Sequence, residues 1–270
     1  MRDSTTTPET AMEYCALTND ELRRKIETFP RCEVMPGSPI DALDQRSLYK
    51  SYRETTSITI VSALDHLRLV TESVLGLKGA LPFAHATSLR TALSVSSAAL
   101  WLMPEEDAKR ELRAAMWNFH DHTNYLVWLR LRSDEKYSDI VQHRERIERR
   151  RDHFAAVALE LGTDVTKRWK LTAEYDMTVA AAKMMDPAIW GDGWSPAVEV
   201  PSQWRMLSAY AHGLRWATAP DTVQGDPDEN GFAATTLSFS LDRLMESTRI
   251  TMDVVDTAIN RFRVLAGHHC

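Results

Sequence analysis

The chain has 270 residues, 44% of them hydrophobic and 26% charged, with 10 Gly and a formal net charge of -6. That length buries a sizeable core, and so little glycine favours helices over turn-rich β structure. The acidic balance excludes a protein built for tight, non-specific nucleic-acid binding, which needs many Lys and Arg contacts to phosphates, but it leaves room for a local basic site.

Cys15, Cys32 and Cys270 are odd in number and show no CxxC spacing. No zinc site or disulfide framework is expected from them, and a reducing compartment fits. The N-terminus lacks the apolar segment of a signal peptide, and no apolar run approaches the roughly 18 residues of a membrane span. A cytoplasmic location and no membrane association are the expectations.

Residues 1–16 are polar and Thr-rich and are expected to form a flexible segment ahead of a single helical domain over 17–270. "TNDE" at Thr18–Glu21 has the form of a capping box, opening a short helix to Phe29. Pro30, Pro36, Gly37 and Pro39 mark a loop. From Asp41 to Leu75 there is neither Pro nor Gly, and Ile60, Leu64, Leu67, Val70, Val74 and Leu75 recur at helical spacing. One long helix ending at Gly76 is predicted there, with a more polar face through Leu48, Tyr52, Thr55, Thr59, Ser62 and His66.

"LPFAHATSLRTALSVSSAALWLM" reads as a buried helix whose Ala and Ser residues allow close helix approach. Pro104 stops it and starts the next, with Glu105, Glu106 and Asp107 at its positive end. A helix through "SDEKYSDIVQHRERIERRRDHFAAVALELG" should close on Gly162, and another should run from Val165 to Met185. A Trp-containing loop over 186–201 then precedes a C-terminal helical pair over 202–266. The pair consists of a helix capped by Ser202 that runs to Ala217 and a helix over Ala233–Leu265, joined by the acidic loop "APDTVQGDPDENG".

The first helix of that pair, "VPSQWRMLSAYAHGLRWA", places Arg205, Ser208, His212 and Arg215 within one sector of under about 90°. Arg205 and His212 are nearly in register, about 10 Å apart along the axis, so a phosphodiester could lie between them. Trp204, Leu207, Tyr210, Ala211 and Leu214 cover the other side.

This segment resembles the HEPN superfamily, helical bundles whose active members carry Arg, four to six residues and then His on a late helix. "LSAYAHG" is also similar to an "LS…HG" segment of helical bacterial proteins. The likeness covers about residues 65–217. Met206 departs from the family, whose active members often have a polar residue after the Arg. The resemblance implies a metal-independent ribonuclease, of toxin or phage-defence type, with Arg205, Ser208 and His212 as catalytic residues. The same spacing of seven also joins Arg113 to His120 and Arg146 to His153, and a spacing of five joins Arg263 to His268. The competing reading is a polar helix face bonded to its neighbours, with His212 paired to a carboxylate such as Asp65.

Other features carry structural readings. His120 and His122 in "HDH" are two residues apart, so they point about 160° away from each other on a helix and do not share one ion. "HRERIERRRDHF" gains little net charge and reads as a solvated face, with an RNA or acidic-partner patch as its alternative. "WGDGW" reads as a packed loop, with a lid or partner anchor as its alternative. Walker A, GxGxxG, GxSxG, HExxH and DDxxD motifs are all missing.

The expectation is therefore an all-α, HEPN-like bundle of about seven helices with Trp and Met in its core, needing no cofactor or metal. Two functions stay open: the ribonuclease, and a non-catalytic bundle that binds a protein partner. Expected partners are RNA, a protein partner such as an antitoxin, and a second copy of the chain, because long helices with Trp-rich and Met-rich faces leave apolar surface uncovered.

Overall fold

The computed structural model describes residues 7–131, 140–167, 173–191, 193–230, 233–237 and 240–268. Among these the chain is all-α apart from one two-stranded sheet. The helices are α1 (Pro8–Thr28), α2 (Pro39–Arg46), α3 (Tyr52–Leu77), α4 (Pro82–Leu102), α5 (Asp107–Arg130), α6 (Ile140–Glu160), α7 (Glu174–Ala182), α8 (Pro196–Ala211), α9 (Arg215–Thr218) and α10 (Leu241–Leu265). No described helix is long and apolar enough to cross a membrane.

Several boundaries differ from the sequence reading, each for a local reason. The first helix begins at Pro8, ten residues before Thr18, so residues 8–16 are helical and not a flexible segment. Thr7 caps it by accepting the Thr10 N–H at 3.2 Å, and Pro8 occupies the first turn, where its missing N–H costs nothing. Thr18 and Asn19 are buried in mid-helix, and the Asn19 side chain accepts from Thr71 Oγ1 at 3.0 Å.

The expected single helix over 41–75 is two. The chain breaks after Arg46, and α3 restarts on Ser51, whose Oγ accepts the Glu54 N–H at 2.9 Å. Asp44 accepts the Arg53 N–H at 3.0 Å across the break. Downstream, α3 continues through Gly76 to Leu77. Its apolar stripe is as expected, with Ile60, Leu64, Leu67, Val70 and Val74 all buried. The polar face is also buried at Thr55 and Thr59, and so is the adjacent Thr56. Thr55 and Thr56 donate to the carbonyls of Ser51 and Tyr52 at 3.0 and 2.9 Å, which satisfies their hydroxyls without water.

Gly162 closes α6 at φ 85, with the Thr163 N–H returning to the Ala158 carbonyl at 2.8 Å. The start expected for that helix at 133–139, and residues 168–172 of the next, lie outside the described residues. Residues 163–167 are not helical, with a turn at 165–167, and the next helix, α7, begins only at Glu174. The acidic segment and the expected start of the last helix instead form strands β1 (Thr222–Pro227) and β2 (Ala233–Leu237), paired antiparallel with Thr222 opposite Leu237. Asp228 makes the turn locally by accepting the Asn230 N–H at 2.9 Å. Consequently α10 begins at Leu241, not Ala233.

The chain divides into two compact units. The first comprises Met1–Glu33, Ile58–Leu100 and Glu174–Arg261. Its core includes Leu22, Leu67, Leu93, Val200, Leu207, Tyr210, Leu244 and Val255. Buried His85 accepts the Leu81 N–H on Nδ1 at 3.0 Å, so Nε2 carries the proton and donates to Ser73 Oγ at 2.7 Å. Burial holds the His85 pKa below the ordinary histidine value.

The second unit comprises Val34–Ser57, Trp101–Ala173 and Phe262–Cys270. Here α5 packs on α6 through Ala115, Phe119, Phe154 and Ala158, and again through Leu126, Leu129, Ile140 and Ile147. Buried Asn118 donates to Thr55 Oγ1 at 3.1 Å, and His122 donates from Nδ1 to the Asn118 carbonyl at 2.8 Å.

Trp and Met contribute to both cores through Trp101, Met103, Met177, Met185, Trp190 and Met252, whereas Trp128 and Trp216 are exposed.

Candidate functional site

Helix α8 starts earlier than the sequence suggests. Ser195 is its N-cap, Pro196 its first residue, and both Pro201 and Ser202 lie inside it. It ends earlier too. The Gly213 N–H reaches the Tyr210 carbonyl at 2.9 Å and the Leu214 N–H reaches Ala209 at 2.8 Å, with Gly213 at φ 65. This is the left-handed glycine stop of a helix C-terminus. His212 is the C-cap residue, and Arg215 belongs to α9, so the expected stripe of four on one helix is cut to Arg205 and Ser208, with His212 at the end.

Arg205 and His212 are both exposed. The Arg205 guanidinium lies over the Tyr175 ring at 4.2 Å from its centroid and makes no ion pair among the described residues. The His212 ring has no hydrogen-bond or ion-pair partner among them either, so the pairing with Asp65 is not made. Ser208, half-buried between them, accepts from Arg90 Nε at 3.2 Å. Its own hydroxyl proton has no acceptor among the described residues.

Arg90 also faces the site, although it belongs to no motif. It donates from Nη2 to Glu174 Oε2 at 2.9 Å and lies 5.3 Å from the Trp204 ring centroid. Trp204 Nε1 donates to Ser94 Oγ at 2.9 Å, which leaves the Ser94 proton for Glu174 Oε2 at 3.0 Å. A continuous chain of hydrogen bonds therefore joins Trp204, Ser94, Glu174, Arg90 and Ser208, with the Glu174 carboxylate accepting from both sides. A signal was present in the sequence: Arg90 is the one Asp, Glu, Lys or Arg in the 21 residues of α4. A lone charge in a helix of small and apolar residues needs a polar destination.

The end of α8 is anchored. Buried Tyr210 donates its hydroxyl proton to Asp221, and Arg243 donates to Asp221 Oδ2 at 2.7 Å and to the Tyr210 oxygen at 3.1 Å. Burial first, then the Asp221 carboxylate, push the Tyr210 pKa up to about 12. Tyr210 thus stays protonated as a hydrogen-bond donor and fixes the helix turn that leads into His212.

The chain matches no known protein family, and no characterised protein or solved structure is significantly similar to it.

The other candidates from the sequence resolve differently. His122 is committed to its own helix, and His120 accepts from Asn124 at 2.9 Å. Among the described residues no group of three His, Cys, Asp or Glu could hold a metal ion. Trp190 and Trp194 flank the Arg249 guanidinium at 5.2 and 5.6 Å, so the ends of "WGDGW" are packed against α10. In the second unit, Arg46, Lys50, Asn118 and His153 line a cleft of about 50 Å³. Both of its cations have acidic partners, Arg46 with Glu111 at 3.3 Å and Lys50 with Asp121 at 3.5 Å.

Proposed function

We propose that the chain is a HEPN-like, metal-independent endoribonuclease, acting in the cytoplasm as a toxin or phage-defence effector, with Arg205, Ser208 and His212 as its catalytic residues. The observation that carries this reading is that Arg205 and His212 flank a serine with a spare proton and are themselves exposed and unneutralised by any described carboxylate. An arginine without an acid partner keeps its fork of donors for a phosphate.

In the reaction the ribose 2′-hydroxyl attacks the adjacent phosphorus. The new bond gives a 2′,3′-cyclic phosphate as the bond to the 5′-oxygen breaks. His212 takes the 2′-hydroxyl proton, or in its protonated form supplies one to the departing 5′-oxygen. Arg205 holds the phosphate and stabilises the charge that grows on it, and Ser208 donates its free proton to a non-bridging oxygen. The nucleophile comes from the substrate, so the chemistry asks for neither a protein nucleophile nor a metal-bound water. A second copy of the chain would supply a second histidine, allowing separate acid and base.

RNA cleavage in EDTA by the wild type, Arg205→Ala and His212→Ala tests this, with circular dichroism confirming the fold. Loss in both folded variants supports the site. A second reading has its own observation: Leu214 and Trp216, just past α8, are 46% and 61% exposed. Exposed apolar residues of this size suit a protein partner, an antitoxin included. If the wild type leaves varied RNAs uncut and His212→Ala keeps its fold, the partner-binding reading replaces the ribonuclease.

A further inference from the structure

We infer that Arg90, Ser94 and Ser208 form a phosphate-binding cradle and that Glu174 fills it in the free protein with a displaceable carboxylate. Two donors converge on one oxygen, Glu174 Oε2: Arg90 Nη2 at 2.9 Å and Ser94 Oγ at 3.0 Å. The donors are held from behind. Trp204 fixes Ser94 through its Nε1–H and stacks near Arg90, whose Nε is held by Ser208. The Arg90 side chain is only 24% exposed, whereas that of Glu174 is 52% exposed and stands at the first residue of the nine-residue α7. The cradle is fixed and its occupant is the exchangeable member.

Charge points the same way. Arg90 and Arg205 bring two positive charges to this face, and Glu174 returns one. A phosphate group that takes the place of the carboxylate keeps Arg90 neutralised, gains the spare Ser208 proton and comes toward Arg205. Arg205 waits on the Tyr175 ring, one residue along from Glu174. A tetrahedral oxyanion has more acceptor oxygens than the single Glu174 oxygen now served. The inference rests on reading this face as a phosphate-binding face, and it makes Glu174 a gate on access to it.

Calorimetric titration with inorganic phosphate tests the cradle without any cleavage step. Glu174→Ala and the more conservative Glu174→Gln should each bind phosphate at least about tenfold more tightly than wild type, equivalent to about 1.4 kcal/mol. Asp176→Asn, which removes an exposed charge from the same helix, should change affinity less than about twofold, as expected of a screened surface charge. Adding Arg90→Ala to Glu174→Ala should abolish the gain. Equal gains from Glu174→Gln and Asp176→Asn would show a general charge effect and overturn the cradle, as would a gain that survives Arg90→Ala. Tight phosphate binding by a protein that cuts no RNA would keep the cradle and remove the ribonuclease. Cleavage without any effect of Glu174 would do the reverse.

Discussion

Arg205 and His212 in the first unit, and Arg146 and His153 in the second, have the same spacing of seven residues, yet their side chains meet different neighbours. Arg146 hydrogen-bonds to the His143 ring, and His153 packs edge-on against Tyr49 with ring centroids 5.1 Å apart. Arg113 and His120 repeat the spacing again and are likewise occupied, Arg113 with the Trp101 carbonyl at 2.5 Å and His120 with Asn124. Among the described residues Arg205 has only an aromatic face beneath it, and the His212 ring has no hydrogen-bond or ion-pair partner. The spacing recurs along the chain; Arg205 and His212 stand apart because, among the described residues, neither side chain has a hydrogen-bond or ion-pair partner, and because His212 caps a helix end anchored through Tyr210.

The largest stability effect should come from removing that anchor. Tyr210→Ala deletes a fully buried ring and its bonds to Asp221 and Arg243, and should cost about 3–5 kcal/mol in denaturant unfolding. Tyr210→Phe keeps the ring and the Arg243–Asp221 pair but loses both bonds of the hydroxyl to charged groups, and should cost about 2 kcal/mol. A cost for Tyr210→Phe as large as for Tyr210→Ala would show that the hydroxyl, not the ring, anchors the helix end.

Next is a pH effect that separates buried from exposed histidines. Burial lowers the pKa of both His85 and His122 from the ordinary 6.5. Below that value the unfolded chain takes up protons that the folded chain refuses, so their contribution is complete above it and is lost as pH falls through it toward the folded values. Melting temperature should drop from about pH 7 to about pH 5, and His85→Asn and His122→Asn should each flatten the drop. An unchanged slope in both variants would contradict the neutral hydrogen-bonded forms described for them.

The smallest effect belongs to the second unit's surface pairs. Arg46→Ala, at a pair whose side chains are 53% and 30% exposed, should change stability by no more than about 1 kcal/mol. A much larger loss would mean that the cleft is tighter than its exposure indicates.

Helical periodicity made the all-α fold and the buried stripe of α3 legible, because burial of one face requires that spacing. The boundaries that misled were set by single side chains. Thr7 and Ser51 each cap a helix with one hydrogen bond, and no proline or glycine announces the break before α3. The hairpin was hidden because Ala233–Leu237 suits a helix by spacing, whereas the Asp228 turn and pairing to β1 decide it. Arg205, Ser208 and His212 could be named from sequence because they lie on one segment. Arg90, Ser94 and Glu174 could not be joined to them, because hydrogen bonds 80 or more residues apart in the chain bring them together.

Arg205 and His212 both lack polar side-chain partners among the described residues, whereas Arg146 is bonded to the His143 ring and His153 is packed against Tyr49 and Phe154. The measurement is cleavage of single-stranded RNAs in EDTA by four alanine variants in parallel. Arg205→Ala and His212→Ala should each lose about 100-fold or more of the wild-type rate with the fold intact, as expected for loss of a general acid–base or a phosphate-stabilising group. Arg146→Ala and His153→Ala should stay within about twofold of wild type, as surface changes away from the chemistry do. Equal rates in all four, or a loss in the Arg146 and His153 variants matching that in the other pair, would contradict the account.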